Sequence, residues 1–189
     1  MDLNGSLFDA INDLAGHVAF ADNVMKFSAQ YVIYGLFALV AASWFVRAGT
    51  DESRRLAVYS ALLTGACAFL VLIAIRHFYE HPRPFMDRTD VVLLIQHGAD
   101  TSFPSDHATA AFALAAGIAM YRLRFGALLL ALAALISFAR VYTGLHYPFD
   151  VLGGAAIGIA IALALRPARP AFEWLDRAVV LRVVPAALR

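Results

Sequence analysis

Three groups of residues in this chain have the types and spacing to handle a phosphate. They are Arg76-His-Phe-Tyr-Glu-His-Pro-Arg83-Pro84, Phe103-Pro-Ser105-Asp106-His107, and Ala139-Arg140 followed by His146 and Asp150. Arg76, Arg83 and Arg140 supply planar guanidinium groups that grip phosphate oxygens through paired, charge-assisted hydrogen bonds, although a carboxylate or a lipid head group could satisfy them too. Ser105 stands where an apolar run begins and is a good helix N-cap, so free backbone N–H groups and the helix dipole would face an anion there. His107 and His146 complete a phosphoryl-transfer set: one histidine nitrogen can attack phosphorus, and a second, protonated histidine can protonate the leaving oxygen. Asp150 follows His146 by four residues, within reach to orient its imidazole, with Pro148 between them.

Each residue also has a plain structural reading. Arg76 could snorkel from a helix end, Asp150 could only cap a helix, and His107 could be an interfacial residue. Those readings do not explain why Arg, Ser and His recur at one face. His17, His77, His81 and His97 lack such company and read as ordinary interfacial residues, and no tight ligand spacing suggests a metal.

The elements that must position these groups are apolar. The chain has 189 residues, of which 61% are hydrophobic and 15% charged, well above the roughly 45–50% apolar content of soluble proteins. Its arginines are dispersed between apolar stretches, which argues against a nucleic-acid partner. Cys67 is the single cysteine, so no intrachain disulfide can form. Apolar runs over residues 27–45, 56–78, 107–121, 125–138 and 151–165 predict membrane helices, the last three short and rich in Ala and Gly, as suits tightly packed interior helices. The expected fold is an all-α, polytopic membrane bundle of about five to six helices. Residues 1–26 read as an amphipathic interfacial helix with Leu7, Ile11, Leu14 and Val18 on its apolar face, 27–166 as the transmembrane core, and 167–189 as a cytoplasmic amphipathic tail. Arg47, Arg54, Arg55, Arg122, Arg124, Arg166, Arg169, Arg177, Arg182 and Arg189 mark the cytoplasmic side, which puts the three polar groups on the opposite face.

The spacing resembles that of the type 2 phosphatidic acid phosphatase superfamily of membrane lipid phosphatases. That pattern is Lys, six residues, Arg-Pro; then Pro-Ser-Gly-His; then Ser-Arg, five residues, His, three residues, Asp. This chain keeps every gap and departs at three positions: Arg76 stands for Lys, Asp106 for Gly and Ala139 for Ser. Arg76 keeps the charge, Ala139 removes a hydroxyl, and Asp106 brings a carboxylate that must turn away, pair with an arginine or bind a cation. The Asp-containing second group, the ending His146-Tyr-Pro-Phe-Asp150, the small size and the opening residues are similar to those of bacterial undecaprenyl-diphosphate phosphatases. The resemblance implies hydrolysis of a polyprenyl diphosphate on the outer face of the inner membrane, with His146 as nucleophile, Asp150 as its orienting partner and His107 as acid. Arg76, Arg83, Ser105 and Arg140 would hold the transferring phosphate. It implies no required cofactor, a divalent ion at most assisting, and membrane lipids as the surroundings. Phosphatases of other lipids, vanadate-dependent haloperoxidases and a non-enzymatic lipid binder or transporter are the rival readings.

Overall fold

The computed structural model describes residues 2–45 and 51–183. Among them the regular structure is helical, with no strand. In chain order the helices are α1 (Leu3–Asn12), α2 (Ala19–Gln30), α3 (Val32–Ala42), α4 (Asp51–Phe78), the single turn α5 (Pro84–Asp87), α6 (Asp106–Ala119), α7 (Leu123–Tyr142), α8 (Pro148–Ala164) and α9 (Arg169–Val183). By length and composition α4, α7 and the run from α8 into α9 could each cross a membrane, and α2 with α3, bent by 49° at their junction, could form a fourth crossing.

The bundle is organised around α6, which packs against α4, α7 and α8. At 14 residues it is about 21 Å long, short of the ~30 Å apolar layer, and it sits inside the protein rather than against lipid. Its partners approach closely because small residues face one another. A Cβ added at Gly158 on α8 would lie 2.6 Å from the backbone nitrogen of Ala113 on α6, and one added at Gly117 on α6 would lie 2.5 Å from Cα of Ala61 on α4. Large apolar side chains such as Leu62, Phe69 and Leu70 on α4 and Leu152 and Leu163 on α8 point outward instead. This inversion of the soluble pattern fits a chain whose solvent is lipid.

One sequence expectation needs correction. The N-terminal segment is not one helix: α1 ends at Asn12, the chain turns through Gly16 at φ +83°, and α2 begins at Ala19. Gly5, Phe8, Asn12 and Ala15 are buried, Ile11 is partly buried, and Leu7, Leu14 and Val18 are exposed. The described part of the tail forms a helix of its own, α9. It follows α8 through one 3-10 turn (Arg166–Ala168), and α9 is fastened to α4 by paired bonds from Arg55 Nε and Nη2 to Asp176, at 2.5 and 2.9 Å. Arg47 and Arg189, used above for orientation, lie outside the described residues. At the pole opposite His146, Arg122 donates to Ser43 O, Arg54 donates to Trp44 O and Arg169 lies over the Tyr121 ring, so these basic residues share one end of the bundle.

Candidate active site

His146 is placed by two helix ends. Helix α7 closes with paired bonds from Gly144 N to Val141 O (3.0 Å) and from Leu145 N to Arg140 O (3.0 Å), with Gly144 at φ +80°. This is a Schellman ending, in which glycine supplies the left-handed conformation that a Cβ disfavours. Helix α8 then starts with Pro148 in its first turn, where the missing N–H is no loss, and the Asp150 carboxylate accepts from Tyr147 N at 2.8 Å. Between these two signals only Leu145, His146 and Tyr147 are free to turn, and His146 points inward, fully buried.

The ring of His146 is held on both nitrogens. Nε2 faces Arg83 Nη1 at 2.9 Å and Arg140 Nη2 at 3.3 Å. Nδ1 lies 3.2 Å from Ser102 Oγ, and that hydroxyl donates to Asp150 Oδ2 at 2.5 Å. The direct separation of His146 Nδ1 from Asp150 Oδ2 is 3.6 Å, too long for a hydrogen bond. Arg83, itself fully buried, also donates to Leu145 O and to Asp100. Burial pushes the His146 ring down to about 4 from its ordinary 6.5; Asp150 opposes this, while Arg140 and Arg83 reinforce it. The ring is therefore neutral at neutral pH.

Beside this centre lies the start of α6. Ser105 is its N-cap and is fully buried, accepting at 3.5 Å from Ala108 N, and Ser105 N donates to Asp150 O at 3.1 Å, which ties the start of α6 to α8. Arg76, in the last turn of α4, donates to Pro104 O at 3.0 Å. Asp106 answers the question raised by its replacement of glycine: its carboxylate turns to His107, 3.3 Å from Nδ1 and 3.0 Å from the backbone N, and lies 4.0 Å from Arg76. Asp106 is also in the electrostatic field of His146 and Arg140, and Arg140 in that of Arg83 and Arg76. All seven residues singled out in the sequence thus stand at one end of the bundle. Arg140 belongs to the last buried turn of α7, which runs from Leu123 to Tyr142 and so extends past the apolar run over 125–138.

Three guanidinium nitrogens here, Arg76 Nε, Arg83 Nη2 and Arg140 Nε, are buried without a hydrogen-bond partner. A buried N–H left unpaired costs about 1–3 kcal/mol. Two of these donors belong to the arginines that touch the His146 ring and the third to Arg76 beside the start of α6, together a cradle that an oxyanion with several acceptors would complete. No group of three His, Cys, Asp or Glu among the described residues could hold a metal ion.

Residues 55–174 match the PAP2 superfamily. The chain belongs to that superfamily. It is 35% identical over 159 residues to a Bacillus subtilis protein named undecaprenyl-diphosphatase BcrC, spanning 84% of this chain and 80% of that one. It is 30% identical to a Bacillus licheniformis protein named bacitracin transport permease protein BcrC, across 98% of this chain and 93% of that one. Among solved structures it resembles Aquifex aeolicus LpxE with a TM-score of 0.72 and 30% identity, over 87% of this chain and 94% of that chain. This PAP2 protein is a multi-pass membrane phosphatase with an all-helical fold.

Sequence reading passed over several residues that the fold brings to this end. Ser102 bridges His146 and Asp150. Asp100 holds Arg83 Nε at 2.5 Å. His81, set aside as an ordinary interfacial residue, has Nδ1 3.8 Å from Asp150 Oδ1. Only Ser102 carried a local signal, a hydroxyl three residues before Ser105; the contacts of His81 and Asp100 are long-range.

Proposed function

We propose that this PAP2 protein hydrolyses a polyprenyl diphosphate of the undecaprenyl class to the monophosphate and inorganic phosphate, through a phosphohistidine on His146. The observation that carries the reading is the neutral, fully buried His146 ring with Nε2 set between two arginines that retain unpaired donors. The terminal phosphate would enter that cradle, drawing the guanidinium groups onto its oxygens. Nε2 attacks the terminal phosphorus, and the bond from phosphorus to the bridging oxygen breaks. The leaving lipid phosphate takes a proton from His107, whose Nδ1 side is turned to Asp106 and whose other nitrogen serves the leaving oxygen. Water then attacks the phosphohistidine, giving up a proton to His107, and phosphate departs. Charge that builds on the transferring oxygens meets Arg76, Arg83, Arg140 and the N-terminus of α6, an arrangement that exists before substrate binds.

A lipid substrate is supported by a cavity of about 270 Å³ that runs from Asp106 and His107 between α3, α4 and α6, walled by Ile33, Phe37, Phe69 and Leu72. It begins at the acid for the leaving group and continues along apolar side chains, the order of groups in an isoprenoid phosphate. The basic residues gathered at the opposite pole support an extracytoplasmic site in a bacterial inner membrane.

The test is phosphate release by detergent-solubilised protein from undecaprenyl diphosphate, beside phosphatidylglycerophosphate, phosphatidic acid and a lipid A phosphate, with His146→Ala as control. Preference for the polyprenyl diphosphate, abolished in the variant, is the expected result. Preference for another lipid would retain the chemistry and reassign the substrate, and full turnover by His146→Ala would overturn the nucleophile.

A further inference from the structure

Ser102 is fully buried and its hydroxyl touches both His146 and Asp150. The hydrogen-bond directions around it are fixed by elimination. Arg83 and Arg140 bring only N–H donors to His146 Nε2, so Nε2 carries a lone pair and the ring proton of the neutral imidazole sits on Nδ1. Nδ1–H must then find an acceptor. Asp150 Oδ2 at 3.6 Å is too far, and Ser102 Oγ at 3.2 Å is within range. Ser102 in turn spends its only proton on Asp150 Oδ2, which also accepts from Tyr147 N.

We infer that Ser102 is a positioning residue that joins the carboxylate of Asp150 to the nucleophile: Nδ1–H of His146 donates to the Ser102 hydroxyl, and that hydroxyl donates to Asp150. The chain of bonds fixes the tautomer with the lone pair on Nε2 and holds the ring plane toward the incoming phosphorus. When the N–P bond forms, the imidazole becomes cationic and keeps its Nδ1 proton. The positive charge is then stabilised by Asp150 through the polarised hydroxyl, with no proton transferred along the chain. The Ser102 segment is itself anchored, since Ser102 N donates to His81 O at 2.7 Å and Thr101 Oγ1 accepts from His81 N.

The inference rests on His146 as the nucleophile, and the test separates the two. Phosphate release from undecaprenyl diphosphate is measured for the full chain and for Ser102→Ala and His146→Ala. Histidine-selective 15N spectra are recorded on the protein in detergent, with the His146 signal assigned by its loss in His146→Gln. The wild-type spectrum is expected to show His146 protonated on Nδ1. Ser102→Ala is expected to lower kcat about 10- to 100-fold with KM within about twofold, because substrate contacts are intact while the orienting bond is gone, and to mix the tautomers. A wild-type His146 protonated on Nε2, or a Ser102→Ala protein with unchanged kcat, overturns the role of Ser102. Turnover that survives His146→Ala overturns the nucleophile assignment instead.

Discussion

The depressed basicity of His146 can be read directly by titrating the ligand-free protein, so that the substrate's own phosphate ionisation does not enter. Burial lowers the ring to about 4 from 6.5, with Arg140 and Arg83 acting in the same direction against Asp150. At pH 5.5 a midpoint of 4 leaves about 97% of the ring neutral, whereas a midpoint of 6.5 leaves about 9%. The neutral ring that the proposed attack on phosphorus requires therefore differs roughly tenfold in population between the two cases. The assay is a 15N chemical-shift titration of His146 from pH 8 to pH 4 in detergent. The expected result is no transition near 6.5 and the start of one toward 4. Arg83→Gln removes a neighbouring positive charge and is expected to raise the midpoint. The same shift bears on stability. Between 6.5 and 4 the unfolded chain binds the proton and the folded chain does not, so stability is full above 6.5 and declines as pH falls through that window, by up to about 3 kcal/mol. A wild-type midpoint at or above 6.5 would refute the electrostatic account of the cradle, since two arginines beside a buried ring cannot leave it as basic as free imidazole.

Two further substitutions probe how the ring is placed. Gly144→Ala puts a Cβ on a residue at φ +80° and 2.8 Å from Val92 O, so it is expected to destabilise by about 1–2 kcal/mol and to lower kcat by displacing His146, checked by thermal unfolding in detergent together with phosphate release. Asn12→Leu removes the buried amide that donates to Val92 O and Tyr142 O and accepts from Val92 N; it is expected to destabilise by about 2–3 kcal/mol, measured the same way, with activity recovered at low temperature because no phosphate contact is lost.

How far the sequence revealed the site depends on whether each contact is local. His146 and Asp150 were legible as a pair because only three residues separate them. Ser105 was legible because an N-cap is a sequence-local decision. Arg76, Arg83 and Arg140 were legible as a group because they lie on the side that the orientation rule for basic residues leaves unexplained. What joins the groups was not legible. Arg83 meets His146 across 63 positions and Ser102 meets Asp150 across 48, and no periodicity encodes such distances. That Arg140 lies buried in the last turn of α7 becomes intelligible only once the partner imidazole is in view.

The same reasoning bears on the N-terminal segment, whose stripe Leu7, Ile11, Leu14 and Val18 reads as the apolar side of an interfacial helix. That reading says which side meets the membrane and nothing of what the other side touches. In this bundle Leu7, Leu14 and Val18 are exposed, Ile11 packs partly buried beside Phe8, and the inward face carries Phe8, whose ring meets that of Tyr147 in a tilted contact at 5.3 Å, and Asn12, which ties residue 92 to the end of α7. Asp9 adds an ion pair to Arg88 at 2.7 Å, and Arg88 lies over the Phe8 ring. Tyr147 and Tyr142 flank the loop that holds His146, so α1 braces that loop from outside while Leu3 and Leu7 stay exposed. Where lipid takes the place of water, apolar side chains no longer indicate the inside. Buried polar groups do, because an amide such as Asn12 is tolerable at a protein–lipid boundary only when the fold satisfies it.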